Sequence, residues 1–288
     1  MIATQFIPLG RMSNYDLHTH SNISDGLLPP AELVERAAAA GVSTLALTDH
    51  DDVAGLPQAR ETAERLGIDL VNGVEISVTW RKRTIHIVGL RIDPLHEPLV
   101  QGLSAIRQGR ALRARRMADS LAQAGIAGAL EGAYRYADNP EIIGRTHFAR
   151  FLVHMGYAKD VRTVFRHYLV GGKPGYVPHE WAALADAVQW IVAAGGIAVL
   201  AHPGRYDLGR QLLPELIGEF KEAGGQAIEV VTGSHTPDQY NLFARYAQEF
   251  DLLASRGSDF HGPGESYVEP GALPPLPASV RPVWHDWG

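Results

Sequence analysis

Cysteine is absent from all 288 residues, which excludes disulfide staples, thiolate nucleophiles, zinc ribbons and thiolate-held iron–sulfur clusters. Any metal must rest on nitrogen and oxygen. Basic residues are the minority, with 26 Lys and Arg against 32 Asp and Glu and a formal net charge of -6, so the surface as a whole is no platform for long duplex DNA. A small anion or a short nucleic acid remains admissible, because bound cations can reverse the potential of a cleft. Long apolar runs are missing too. Arg, Glu and Gln interrupt the Ala-rich stretches well before 18 residues, and MIATQFIPLG lacks the basic-then-apolar pattern of a signal peptide. The expectation is a cytoplasmic protein with no membrane partner and no obligatory protein partner. What is present is ordinary: 45% hydrophobic and 20% charged residues suit one α/β barrel with a buried core.

Short β-branched runs mark seven candidate strands, at Tyr15–Leu17, Thr44–Thr48, Ile68–Ile76, Thr84–Gly89, Ile197–Ala201, Ala227–Val231 and Asp251–Ala254. Helical patterns at Ala31–Ala40, Pro57–Leu66, Glu180–Ala194 and Leu208–Ala223 alternate with them, each stopped by a glycine. Strand and helix in this rhythm predict a parallel sheet closed into a barrel. From Pro94 to about Gly175 the rhythm breaks, leaving only Arg-rich helical segments near 99–124, 143–155 and 158–170. The expected division is a barrel from 1–94 and 176–288 and a small, mainly helical insertion at 95–175. The Pro-rich tail beyond His261 should run extended over the barrel.

Chemistry gathers where the apolar strands stop. Asp16-Leu17-His18-Thr19-His20-Ser21 ends the first, and residues two apart in extended backbone face the same way, so His18 and His20 can serve one ion. Asp25 follows in the next loop. The second strand runs into Asp49-His50-Asp51-Asp52, where His50 is a candidate ligand and Asp49 is expected to accept a hydrogen bond from a ligand imidazole, or else to cap a helix. Glu75 in Gly73-Val74-Glu75-Ile76-Ser77 and His86 in Thr84-Ile85-His86-Ile87 sit in strongly apolar settings. After the insertion the pattern returns as His202 in Ala201-His202-Pro203 and as Asp259 and His261 in Ser258-Asp259-Phe260-His261-Gly262. Each of these has a bland explanation alone, yet six of the 13 histidines stand at such positions. Side chains at the carboxyl ends of barrel strands converge on one mouth, so the set reads as a multi-metal site. Imidazole with carboxylate and no thiolate fits Mn²⁺, Fe²⁺ or Zn²⁺ better than Mg²⁺, with Mn²⁺ the expected ion.

DLHTHS, TDHD, GVEIS, the His86 strand, AHP and SDFHG, in this order, resemble the motifs of the PHP (polymerase and histidinol phosphatase) family. The resemblance covers almost the whole chain outside the insertion. It implies a distorted (β/α)7 barrel holding two or three divalent ions. Carried over by motif, His18, His20, Glu75 and Asp259 would hold one ion, Glu75 as a bridge with His86 and His202 a second, and Asp25, His50 and His261 a third. Asp25 stands where the family often has histidine, which adds hard-oxygen character at the third site. Glu75, Asp259 and His202 would carry catalysis by holding the ions that activate water against a phosphoester.

The insertion bears on the substrate. Arg145 and His147 open a helix, and Lys173 lies in a Gly-rich return to the barrel, so together they are expected to clamp a second phosphate. Ser77 is expected to donate to the same group, and His235, after a candidate strand, to supply a proton. These stretches resemble the TrpH/YciV-type branch of the family, which implies a 3',5'-nucleoside bisphosphate phosphatase releasing the 3'-phosphate, or a 5'-3' exonuclease on short single-stranded RNA. The alternatives are a histidinol-phosphate-type or other small monoester phosphatase, and a noncatalytic PHP metal-binding module.

Overall fold

A computed structural model describes residues 13–287; the N-terminal stretch inspected for a targeting signal lies outside them. β1 (Tyr15–Asp16), α1 (Pro30–Ala39), β2 (Thr44–Leu47), α2 (Leu56–Leu66), β3 (Asp69–Trp80) and β4 (Arg83–Leu90) form the first part of the chain. α3 (Glu97–Gln123), α4 (Ala129–Tyr134), α5 (Arg145–His154), α6 (Val161–Val164) and a π-helical turn at Phe165–Leu169 fill the middle. Then come β5 (Ala182–Ala183), α7 (Leu184–Ala193), β6 (Ile197–Leu200), α8 (Gly209–Glu222), β7 (Ala227–Thr232), α9 (Pro237–Glu249) and β8 (Leu253–Gly257).

The sheet order is β1-β2-β3-β4-β6-β7-β8, with the short β5 attached beside β3. Leu17 N–H donates to the Arg256 carbonyl at 3.0 Å and His20 N–H to the Phe260 carbonyl at 2.9 Å, joining the two ends into a distorted barrel. One expectation fails here. β4 runs antiparallel to both β3 and β6, so the sheet is mixed. The cause is a two-residue hairpin: Arg81 and Lys82 adopt φ of 45° and 64° between the paired residues Trp80 and Arg83, a twist that suits tight β turns. Glu75 and His86 therefore lie within strands and not at their ends.

Helix limits follow local chemistry. Pro30 and Pro57 stand in the first turns of α1 and α2, and Gly67 ends α2 at φ 65°. Thr236 and Gln239 cap α9 reciprocally. Ile76, Ile85, Ile87, Leu200 and Ile228 are fully buried in the barrel core, each such side chain contributing about 1.5–3 kcal/mol. The helices of the middle segment share a second apolar cluster that includes Met117, Leu121, Phe148, Leu152 and Leu169. α3 bridges the two, because Leu99, Leu103 and Ile106 near its start pack into the barrel cluster. The tail is built of turns, and it covers the barrel end where the parallel strands begin, with Val283 N–H bonded to the Ala254 carbonyl and Trp284 stacked on Tyr15. No helix among the described residues is long and apolar enough to cross a membrane.

Candidate metal centre

The barrel mouth brings together all nine proposed ligands. Their atoms fall into four overlapping groups: His18, His20 and Asp259; His18, Glu75 and His202; His50, Glu75 and His86; and His20, Asp25, His50 and His261. His18 Nε2 lies 3.1 Å from His20 Nε2, and both lie 3.4 Å from Glu75 Oε2. Asp259 Oδ1 is 3.5 Å from His18 and 3.3 Å from His20. A four-coordinate ion with bonds of about 2.1 Å separates its ligands by about 3.4 Å, so these spacings suit one. The opposite oxygen, Glu75 Oε1, meets His86 Nδ1 at 2.8 Å and His202 Nε2 at 2.9 Å. Asp25 Oδ1 faces His261 Nε2 at 3.3 Å and His50 Nε2 at 3.8 Å. The grouping overlaps the motif-based one without matching it: His18 also groups with Glu75 and His202, His20 joins Asp25, His50 and His261, and His50 groups with His86 and places Nδ1 2.9 Å from Glu75 Oε2.

The electrostatics are those of a site made for cations. Glu75, Asp25, Asp259, His20, His50 and His202 each bury a polar side-chain atom with no hydrogen-bond partner, a costly arrangement unless something binds there. Burial opposes ionisation of Glu75, but His50, His86 and His18 outweigh it and hold the carboxyl well below its usual range. Burial likewise works against a charged His261, yet Asp25 and then Asp259 lift it to about 9. His20 goes the other way, down to about 3, through burial and the neighbouring His261. Protons thus compensate part of a buried carboxylate cluster where divalent ions would do so more fully. His202 at φ 27° and Asp259 at φ 55° occupy backbone regions unusual for side-chain-bearing residues and concentrate strain at the site.

Support comes partly from unexpected residues. Glu229, in β7, accepts from His18 Nδ1 at 2.7 Å and from His202 N–H at 2.6 Å, leaving His18 Nε2 free to face an ion. Asp49 does not touch an imidazole; it accepts from Ser21 N–H, Ser21 Oγ and Ser24 Oγ at 2.6–2.7 Å and so pins the loop carrying Asp25. His235 is not placed to give a proton to a substrate. It is buried, its Nε2 accepts from Gly204 N–H and its Nδ1 donates to the Val230 carbonyl, and its ring stacks on Phe243. His147 is also committed: buried, it accepts from Gly144 N–H at 3.0 Å at the start of its own helix.

Beside the cluster opens a recess of about 90 Å³ lined by Asp25, His50, Ser77, His86, Arg110, Arg113, Arg145, Trp181, Arg205 and His261, among others. Arg145 and Ser77 both line this recess, although the Ser77 hydroxyl donates to Asp51 Oδ2 at 2.9 Å. Lys173 is exposed, as are Gly171 and Gly172 before it, and it lines neither this recess nor the wider cavity next to it. Its place is taken by Arg110 and Arg113, one turn apart on α3. Arg110 pairs with buried Asp51 and donates to Ser77 Oγ. Arg113 has no carboxylate partner among the described residues; its guanidinium lies over Trp181. Burial, Arg145 and Arg110 together depress Arg113 to about 9, and burial with Arg205 depresses Arg145. Cations crowded until they weaken one another form a site for an anion.

The PHP domain model matches residues 16–233. The chain belongs to the PHP domain family. It is 57% identical over 275 residues to the 3',5'-nucleoside bisphosphate phosphatase of Chromobacterium violaceum, covering 96% of each chain. It is 45% identical over 275 residues to the 5'-3' exoribonuclease Rnm of Escherichia coli, covering 95% of this chain and 93% of that one. Among solved structures it superposes with a TM-score of 0.92 and 56% identity on an amidohydrolase from Chromobacterium violaceum with bound sulfate and no metal, covering 95% of each.

In this PHP chain the residues that sequence reasoning passed over are Asp51, Arg110, Arg113, Arg205 and Glu229. Arg205 donates to Asp259 Oδ2 at 2.6 Å and also lines the recess, so it joins the ligand cluster to it. Its signal was faint, a single arginine two residues beyond Pro203.

Proposed function

We propose that the protein hydrolyses the 3'-phosphoester of nucleoside 3',5'-bisphosphates, and the first phosphodiester of short 5'-phosphorylated RNA, leaving a nucleoside 5'-monophosphate in both cases. The observation that carries this reading is the arginine recess beside the ligand cluster: one phosphate belongs beside Arg113 and Arg145, which have no carboxylate partner among the described residues, the other at the carboxylate–imidazole mouth. A simple monoester phosphatase has no use for the first, and a noncatalytic metal-binding module has no use for either. The names of the two curated relatives favour the same pair of substrates.

His18, His20, Glu75 and Asp259 would hold one divalent ion, Glu75, His86 and His202 a second, and Asp25, His50 and His261 a third, and their mixed nitrogen and oxygen donors favour Mn²⁺. Such ions, when bound, lower the pKa of water and neutralise charge on a phosphoryl group in transfer. The chain's own residues do the rest. Glu229 orients His18, Asp49 holds the Asp25 loop, and Asp51 fixes Ser77 and Arg110 at the recess. Arg113 and Arg145 take the 5'-phosphate in charge-assisted hydrogen bonds, which positions the 3'-phosphorus at the mouth.

The test compares adenosine 3',5'-bisphosphate with adenosine 3'-monophosphate in Mn²⁺. The reading requires a preference of at least tenfold in kcat/KM for the bisphosphate. Equal turnover of the two would refute it, and no turnover of any phosphoester by metal-loaded protein would favour the binding module.

A further inference from the structure

We infer that the wider cavity beside Asp259 and His261 is the binding site for the second nucleoside of an RNA strand, with Tyr267 as the platform for its base; this rests on the phosphoesterase reading above. The cavity holds about 520 Å³, within the range of small-molecule sites. It shares Thr146, Phe165, Arg205 and His261 with the arginine recess, so the two compartments meet at the edge of the metal cluster.

Their chemistry differs. The recess is dominated by arginines, whereas the cavity sets the carboxylates of Asp160, Asp259 and Glu265 against Arg162 and Arg205; Arg205 is paired with Asp259, and Glu265 accepts from Arg150 at 2.9 and 2.8 Å. A compartment without surplus positive charge is a poor trap for a bare phosphate. At its rim Tyr267 is 65% exposed, and Arg162 lies 4.1 Å from its ring centre. An aromatic face left open to water beside a guanidinium is a stacking surface for a nucleobase.

The reaction dictates which nucleoside goes there. Water forms the new O–P bond, the P–O3' bond breaks, and O3' takes a proton as the first nucleoside 5'-monophosphate departs. In RNA the phosphate stays on O5' of the second nucleoside, which must therefore extend from the phosphorus away from the recess that holds the first. In a 3',5'-bisphosphate that direction carries only a phosphate oxygen and water. The cavity should thus matter for RNA and not define the bisphosphate reaction.

The test measures kcat/KM for 5'-phosphorylated diadenylate and for adenosine 3',5'-bisphosphate with wild type, Tyr267→Ala, Tyr267→Phe and Arg162→Ala. The ratio of dinucleotide to bisphosphate should fall roughly tenfold in Tyr267→Ala, fall less in Arg162→Ala, and be restored in Tyr267→Phe. A parallel binding measurement uses the metal-loaded protein and a dinucleotide whose scissile O3' is replaced by CH2, with 2-aminopurine as the second base. Its fluorescence should be quenched by wild type and much less by Tyr267→Ala. A ratio unchanged within twofold, or equal quenching by both proteins, overturns the site while leaving the phosphoesterase reading in place. Loss of the 5'-phosphate preference in wild type would instead strike that reading, and the quenching would still decide the site.

Discussion

Replacing Arg113 by Met separates binding from folding, because this arginine contributes little to the fold that holds it. It is 6% exposed; its Nε donates to the Val177 carbonyl at a long 3.5 Å, its guanidinium lies 5.1 Å from the Trp181 ring centre, and no carboxylate among the described residues balances it. Burial and two neighbouring arginines move it from 12.5 to about 9. For a cation, a lowered folded value means the charged form is less stable in the folded chain than in the unfolded one, a penalty present wherever pH is below about 9. At about 1.4 kcal/mol per pH unit the penalty is on the order of a few kcal/mol, larger than the roughly 1 kcal/mol that stacking on Trp181 returns. Arg113→Met should therefore leave the melting temperature unchanged or raise it. A charge-assisted hydrogen bond to phosphate contributes about 1.5–3 kcal/mol, so kcat/KM for adenosine 3',5'-bisphosphate should fall tenfold to about 150-fold. Turnover of adenosine 3'-monophosphate, which has nothing to place in the recess, should stay within about twofold. A variant that loses both substrates equally, or melts several degrees lower, would show that Arg113 is structural.

Two further outcomes follow from the mouth of the barrel. In metal-free protein His18 and His261 have folded values above 6.5, His261 at about 9, so the stability they contribute is complete below 6.5 and is lost as pH rises through 9; melting in chelator should be lower at pH 9.5 than at pH 7, whereas Mn²⁺, which must displace those protons, should bind more tightly at the higher pH, and a calorimetric titration showing no proton release would contradict this. Gly257→Ala would put a Cβ 2.3 Å from His18 Cβ and 2.6 Å from His18 N, forcing the β1–β8 seam apart; we expect a loss of about 1–3 kcal/mol together with weaker metal binding, while Gly171→Ala, with nothing within 4 Å, serves as the control that should change neither.

What could be read from the sequence was whatever period and punctuation encode. His18 and His20 are two apart after a short strand, His50, His202 and Asp259 each follow an apolar run, and the parallel strands of the mixed barrel carry all of them to one mouth. The β3–β4 hairpin was hidden because its turn is Arg81-Lys82, without the Gly or Asn that usually marks positive φ. Arg110 and Arg113 were hidden for a different reason: they lie in an α3 run that also contains Arg107, Arg115 and Arg116, and nothing local distinguishes an arginine facing solvent from one facing a recess. That choice belongs to the way α3 spans barrel and insertion, with Leu99 and Leu103 on one core and Met117 and Leu121 on the other, which turns the segment between them over Trp181 and Ser77. Lys173 and His147 fitted local rules for phosphate sites, a Gly-rich turn and a helix start, and lie elsewhere because those rules describe what a backbone can bind and not where the fold points it. Asp49 and Asp51 make the same point within one motif: two residues apart, one fastens the Asp25 loop and the other, at φ 51°, turns to join Ser77 and Arg110. The proposed metal ligands are placed by strand geometry and so are legible, whereas the α3 arginine proposed to hold the second phosphate, Arg113, is placed by the way α3 packs on both apolar clusters, which no local pattern encodes.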